Sequence, residues 1–173
     1  MLSSAMPLVI RADASASMGT GHVMRCIAIG QAWQVLGGKV IFVSQNLPPF
    51  LCERLAAEHF QLVPHCETPS SDSDAGFTAE VAQSYAASAV IVDGYHFDNA
   101  YRRNLRKRGL RVVAVDDFGA LTDADVIVNS NAYASLSDYV GSVERIEETP
   151  VILAGSQFAL LRREFQMPGV HVP

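Results

Sequence analysis

The segment Met18-Gly19-Thr20-Gly21-His22-Val23-Met24-Arg25 places two glycines, a histidine and an arginine close together. Glycines let a backbone approach a ligand without interference from a Cβ. Free amides at a helix start attract anions such as phosphate. Histidine changes charge near neutral pH, so His22 has the chemistry of a general base. A capping or packing histidine is the alternative, and spacing leaves both open. Arg25 sits one turn after Thr20 and Gly21, within reach of a phosphate. A structural ion pair is the equal alternative. The segment lacks the third glycine of the dinucleotide fingerprint and the lysine of a P-loop, so neither motif is satisfied.

A second group of polar residues follows short apolar runs: Asp13, Asp93, Tyr95, Asp116, Asp117, Asn129 and Asn131. In an open parallel sheet, ligands bind beyond the carboxyl ends of the strands, where these residues would lie. An Asp after a strand is also a common turn former. The adjacent Asp116 and Asp117 invite a metal reading. Neighbours on a strand point to opposite faces, however, and rarely share an ion. The sequence calls for no metal and no cofactor. Cys26, Cys52 and Cys66 form no CxxC pair and read as reduced, mostly buried thiols. A metal cluster of Cys52, His59, His65 and Cys66 has no recognised ligand spacing.

The elements that would position these groups are legible as alternating strands and helices. Near-continuous apolar runs at 8–10, 40–43, 89–92, 112–115, 126–128 and 151–153 suit strands covered on both faces. Helical patterns lie at 22–36, 48–58, 78–88 and 98–108. The first carries Val23, Ile27, Ala28 and Leu36 near one stripe and stops at Gly37-Gly38. The fourth has Asp98 as a cap and Gly109 after its basic end. This alternation predicts a Rossmann-like, right-handed parallel α/β sheet with helices on both faces. Residues 67–76 read as a polar, mobile loop. Residues 1–165 read as one domain, and 166–173, with two prolines and a glycine, as a linker or cut end.

Length and composition fit that reading. At 173 residues the chain is sized for about one domain. A hydrophobic share of 49% supports an ordinary core, and a net charge of −5 argues against a nucleic-acid partner. The cluster Arg102, Arg103, Arg106, Lys107 and Arg108 reads as a solvated helix face. Trp33 reads as a core or interface residue. No apolar run reaches membrane-spanning length, and the N-terminus lacks a signal-peptide pattern, so a cytoplasmic location is expected.

Five segments, in order, carry a family resemblance. Ile10-Arg11-Ala12-Asp13-Ala14-Ser15 with Gly19-x-Gly21-His22-Val23-Met24-Arg25-Cys26 resembles the start of the UDP-sugar hydrolases of pseudaminic acid biosynthesis. Val92-Asp93-Gly94-Tyr95 is similar to their Asp-x-Tyr loop, and Val115-Asp116-Asp117 to their acidic strand end. Asn129-Ser130-Asn131-Ala132-Tyr133-Ala134 with Ser137-Asp138-Tyr139, and the stretch from Gly155 to Phe165, complete the set. The likeness spans Leu8 to Phe165.

The resemblance implies one half of a GT-B-type enzyme, whose active site lies between two Rossmann-like domains. The nucleotide would be held mainly by a C-terminal domain, supplied in cis or in trans. The family releases UDP and a free 2,4-diacetamido-2,4,6-trideoxy sugar by water attack at the anomeric carbon, on the way to pseudaminic acid for glycans such as those of flagellin. Diphosphate is a good leaving group, so no glycosidase-type acid is required. His22 matches the position of the family's catalytic histidine, and Tyr95 an active-site tyrosine. Asp13 and Asn131 are candidates to bind sugar hydroxyl and acetamido groups. The backbone at Gly19, Thr20 and Gly21 is a candidate diphosphate support. Three other readings remain: a GT-B-type glycosyltransferase, an isolated half that binds sugar or a partner without turnover, and a domain whose likeness is only ancestral.

Overall fold

The computed structural model describes residues 6–45, 47–119, 123–139 and 149–166. Its seven strands are β1 (Pro7–Ala12), β2 (Lys39–Gln45), β3 (Gln61–His65), β4 (Ala89–Asp93), β5 (Arg111–Val115), β6 (Val126–Asn129) and β7 (Val151–Ala154). They form one sheet in the order β3-β2-β1-β4-β5-β6-β7, with every neighbouring pair parallel. The expected Rossmann-like α/β fold is therefore the fold observed. Central strands are buried on both faces, which is why their sequences are apolar without alternation.

Among the described residues, four α-helices cover the sheet: α1 (Gly21–Val35), α2 (Pro49–Ala57), α3 (Asp72–Ser84) and α4 (Asn99–Lys107). Val23 and Ile27 of α1, with Leu51 and Leu55 of α2, pack on one face against Leu8, Ile10 and Phe42. Ala75, Ala79 and Ala82 of α3, with Tyr101 and Leu105 of α4, pack on the other against Val9, Val90 and Val112. The chain changes faces between β3 and β4. Beyond the carboxyl ends of β1 and β4, strand order reverses and the following loops diverge, leaving a crevice.

Four details differ from the sequence reading. Strand β3 carries Pro64 and lacks a continuous apolar run; it is an edge strand, where proline is tolerated. Helix α3 begins six residues before the expected start at Thr78, inside the stretch read as a mobile loop. There Ser71 caps the helix by accepting from the Asp74 amide at 3.1 Å. Serine and aspartate at a helix start resemble loop composition because both satisfy free amides. Leu36 lies past the end of α1 and is exposed, while Val23, Ile27 and Ala28 are buried. Arg102 is not on a solvated face: it is 1% exposed and donates to the Phe97 carbonyl at 2.6 Å. Other expected details hold: Gly37 takes a positive φ of 82°, and Asp98 accepts from the Tyr101 amide at 2.8 Å. Trp33 packs at the core margin and donates to the Met6 carbonyl. Past Gln166, the expected linker lies outside the described residues.

The most constrained polar group is Arg11 on β1, which is fully buried. It donates from Nε and Nη2 to Asp74, at 3.0 Å each, and from Nη1 to Asp13 at 2.5 Å. Asp74 also accepts from Tyr101 at 2.9 Å and Thr78 at 3.2 Å. Its partners hold the Asp74 carboxyl below the usual range although burial opposes this. Removing one partner of a buried ion pair strands the other charge. Asp74→Ala is thus expected to cost roughly 3–5 kcal/mol, read from urea unfolding midpoints at constant slope.

Candidate functional site

The crevice past β1 and β4 gathers most of the candidate residues. The turn after β1 closes when the Gly19 amide donates to the Ser15 carbonyl at 2.8 Å, with Gly19 at φ 80°. That bond corrects one expectation, because the Gly19 amide is already engaged and is not free for a diphosphate. Thr20 is the N-cap of α1, yet its side chain makes no capping bond, and no acidic residue occupies the first turn. The start of α1 therefore keeps its positive end uncompensated by side chains. A Cβ at Gly21 would meet nothing within 4 Å, so there is open space over this turn.

His22 follows in the first turn and is 5% exposed. Its Nδ1 is buried and has no hydrogen-bond partner. Tyr95, from the loop after β4, sets its ring edge-on to the imidazole with centroids 4.6 Å apart. Tyr95 is itself 66% exposed and its ring also meets Phe118 at 5.2 Å. Burial pushes the His22 pKa down, reinforced by Arg25, while Asp93 and Asp117 pull the other way. The net result is a neutral imidazole at physiological pH, the form that accepts a proton.

Arg25 lies one turn further along α1. It donates from Nε and Nη2 to both oxygens of Asp93, at 2.6 and 2.7 Å, and from Nη1 to Asp117 at 2.7 Å. Of its two readings, the ion pair is the one visible here, with Asp93 and Asp117 as its partners. Asp93 also accepts from the Cys26 thiol at 3.4 Å, and burial pushes that thiol's pKa up. The three thiols are free, but only Cys26 is fully buried and Cys66 is exposed, against the expectation of mostly buried thiols.

Asp13 is likewise more internal than a ligand-binding role suggests. It is 5% exposed and accepts from Arg11, from the Gln45 amide at 2.7 Å, and pairs with His96 Nε2 at 3.1 Å. Burial would raise its pKa, but the bonds from His96 and Arg11 outweigh that and hold it at about 2. Asn131 is exposed and donates to the Asp117 carbonyl at 3.1 Å. It lines an open cavity of about 460 Å³ with Asp117, Phe118, Asn129, Tyr133 and Asp138. Asp116 and Asp117 diverge: Asp116 accepts from Tyr139 at 2.8 Å, whereas Asp117 faces Arg25. Among the described residues, no group of three or more His, Cys, Asp or Glu is placed to hold a metal ion. Among them, too, no helix is long and apolar enough to cross a membrane.

Sequence reasoning placed Asp93 and Asp117 at strand ends without assigning them to the site, and passed over His96. The Arg25 ion pair that unites the two aspartates spans 68 and 92 residues of sequence, so no local pattern marks it.

Comparison with known proteins gives the context. The chain is 23% identical over 161 residues to the UDP-2,4-diacetamido-2,4,6-trideoxy-beta-L-altropyranose hydrolase of Campylobacter jejuni. The match covers 92% of this chain and 53% of the hydrolase, so the chain spans about half the length of that curated relative. This chain is thus similar to about half of one UDP-sugar hydrolase. The likeness inferred from the five segments is thereby borne out. Among solved structures, HepE from Anabaena, in complex with UDP and glucose, superposes with a TM-score of 0.58 at 13% identity, over 87% of this chain and 44% of that one. MurG of Acinetobacter baumannii gives a TM-score of 0.54 at 13% identity, over 74% and 42%. A glycosyltransferase of Rickettsia africae gives 0.51 at 14%, over 64% and 29%. At these identities the likeness concerns the fold, one Rossmann-like half of a GT-B-type architecture. No protein-family profile matches the chain.

The titrations follow with their signs. His22 in the folded chain titrates below its unfolded value of 6.5. Above pH 6.5 it costs nothing; as pH falls through 6.5 the unfolded chain takes the proton first, and stability is lost. Asp13 contributes stability in full above 3.8, lost as pH falls toward about 2. Histidine proton NMR is expected to show His22 titrating below 6.5 in the folded chain, and an ordinary value would contradict the burial described.

Proposed function

We propose that this chain is the N-terminal half of a nucleotide-sugar hydrolase that releases UDP and a free 2,4-diacetamido-2,4,6-trideoxy sugar. The observation that carries the reading is His22: a buried, neutral imidazole with an unpartnered nitrogen, at an uncapped helix start, on the ligand-binding edge of the sheet. The hydrolase likeness over 92% of the chain supports the substrate class.

In this mechanism His22 accepts a proton from water as the water oxygen bonds to the anomeric carbon. The bond from that carbon to the diphosphate oxygen breaks, and its electron pair leaves with UDP. The leaving group needs no carboxylic acid, and Asp93 and Asp117 are both bonded to Arg25. Asn131, in the lining of the cavity, and Tyr95, beside His22, bind sugar substituents. The positive end of α1, at Thr20, Gly21 and His22, faces the departing negative charge. Asp13 holds the loop through His96 and Arg11. The nucleotide is bound by a C-terminal domain, in cis or as a separate polypeptide, which closes the cleft and excludes water. Such a protein belongs to nonulosonic acid biosynthesis in the cytoplasm.

The test is UDP release from UDP-2,4-diacetamido-2,4,6-trideoxy-β-L-altropyranose, with this chain alone and with the nucleotide-binding domain supplied. Turnover is expected only in the second case, without any acceptor, and His22→Asn is expected to lower it by ~10²-fold or more. Near-normal turnover in that variant would remove His22 from the mechanism. A strict requirement for an acceptor alcohol would favour glycosyl transfer, the activity class named for one of the fold's neighbours.

A further inference from the structure

His96 borders the crevice, and the proposed reaction gives it no ligand. It follows Tyr95, whose ring packs edge-on to His22 at 4.6 Å, so the two histidines flank one site. His96 Nε2 lies 3.1 Å from Asp13 Oδ2. The other oxygen of Asp13 accepts from Arg11 at 2.5 Å and from the Gln45 amide at 2.7 Å, so the carboxylate is fixed in place. The Phe97 ring meets the imidazole with centroids 4.0 Å apart. Phe97 is itself buried and sits over the Arg11 guanidinium. Gly94 clears the approach: a Cβ there would lie 2.9 Å from His96 Cε1. The imidazole is thus held at one nitrogen and against one ring, and the loop is bare where a side chain would displace it.

The other nitrogen is open. The His96 side chain is 24% exposed, against 6% for that of Asp13. Its Nδ1 has no hydrogen-bond partner among the described residues and is not one of their buried unpartnered atoms, so it meets solvent. His22 is arranged the other way, with Nδ1 buried and no carboxylate bonded to it.

We propose that His96 is a ligand-binding residue of the crevice: Asp13 takes its Nε2 hydrogen, and Nδ1 is left to accept from a hydroxyl or amide N–H of the sugar. Asp13 is ionised at neutral pH, and an ionised carboxylate only accepts, so the hydrogen of that pair belongs to Nε2. In the neutral imidazole the second nitrogen is then a bare acceptor. Such an acceptor selects groups that donate and disfavours phosphate oxygens, which only accept. Asp13 therefore acts on the sugar as a positioning residue, through His96, rather than by touching it. This deepens the hydrolase reading, on which the identity of the ligand rests. An acetamido sugar carries both kinds of donor.

Two measurements test this. At a pH where the ring is neutral, long-range proton–nitrogen NMR of the 173-residue chain is expected to show hydrogen on His96 Nε2 and none on Nδ1. Adding free 2,4-diacetamido-2,4,6-trideoxy-altropyranose, the sugar released in the proposed reaction, is expected to move the Nδ1 signal. In the two-domain enzyme, His96→Gln separates holding the loop from binding the sugar. Its amide can stand near the place of Nε2 and donate to Asp13, while nothing replaces Nδ1. The variant is expected to keep the wild-type unfolding midpoint and to raise KM by ~2- to 10-fold with kcat little changed, the range for one neutral hydrogen bond.

Hydrogen on Nδ1 of the neutral ring overturns the proposal, as does an unchanged KM in folded His96→Gln. A loss confined to kcat also overturns it, by making His96 a proton-transfer group instead. Where His96→Gln does not fold, the wild-type chain decides: an Nδ1 signal that stays in place at high sugar concentration overturns the proposal. If that signal moves and no UDP is released under any condition, the hydrolase reading fails while sugar binding by His96 stands. If UDP is released and His96→Gln matches wild type, the hydrolase reading stands and the role of His96 fails.

Discussion

The structure turns on one buried charge. Arg11 has no contact with water, so its guanidinium must be neutralised within the protein, and the cost of failing to do so exceeds most single contacts. Its two carboxylate partners come from different places: Asp13 directly after β1, and Asp74 in the first turn of α3. Phe97 stacks against the guanidinium from the loop after β4, at 4.8 Å from its ring centroid. The demand of this one side chain thus fixes where α3 begins and how the loops after β1 and β4 approach. Asp13 then passes the constraint on to His96. The crevice is bounded by these loops, so its shape is inherited from the interior.

A second arginine does the corresponding work at the rim. Arg25 ties α1 to the ends of β4 and β5 through Asp93 and Asp117. Both arginines would look available for phosphate if judged by position alone. Both are paired with carboxylates, and beside Arg25 the start of α1 carries no side-chain capping bond. Under the proposed function, the nucleotide is left to the second domain.

How much of this could be read from sequence depends on range. Six strands were legible because parallel central strands are apolar throughout, and the α1 and α4 boundaries because Gly37 and Asp98 are unambiguous stop and start residues. Strand β3 escaped because an edge position tolerates Pro64 and partial exposure. The start of α3 escaped because the Ser and Asp residues that cap a helix are those that mark loops. His22 and Tyr95 were found from local spacing and from the family likeness, and the fold brings their rings together. The roles of Arg25, Asp13, Arg102 and Asp117 were hidden, since each depends on partners distant in sequence or on burial that composition does not reveal.

The segment Asn131 to Tyr133 is solvent-facing and belongs to neither apolar core, with Tyr133 98% exposed. Substitutions there carry little stability penalty, whereas those at Asp117 or Asp13 disturb buried ion pairs. Under the proposed function, a lineage could therefore explore new sugar substituents along one rim of the cavity while His22 and its surroundings stay fixed. Diversification and chemistry are housed on separate structural accounts, and changes in what is recognised need not endanger whether the protein folds.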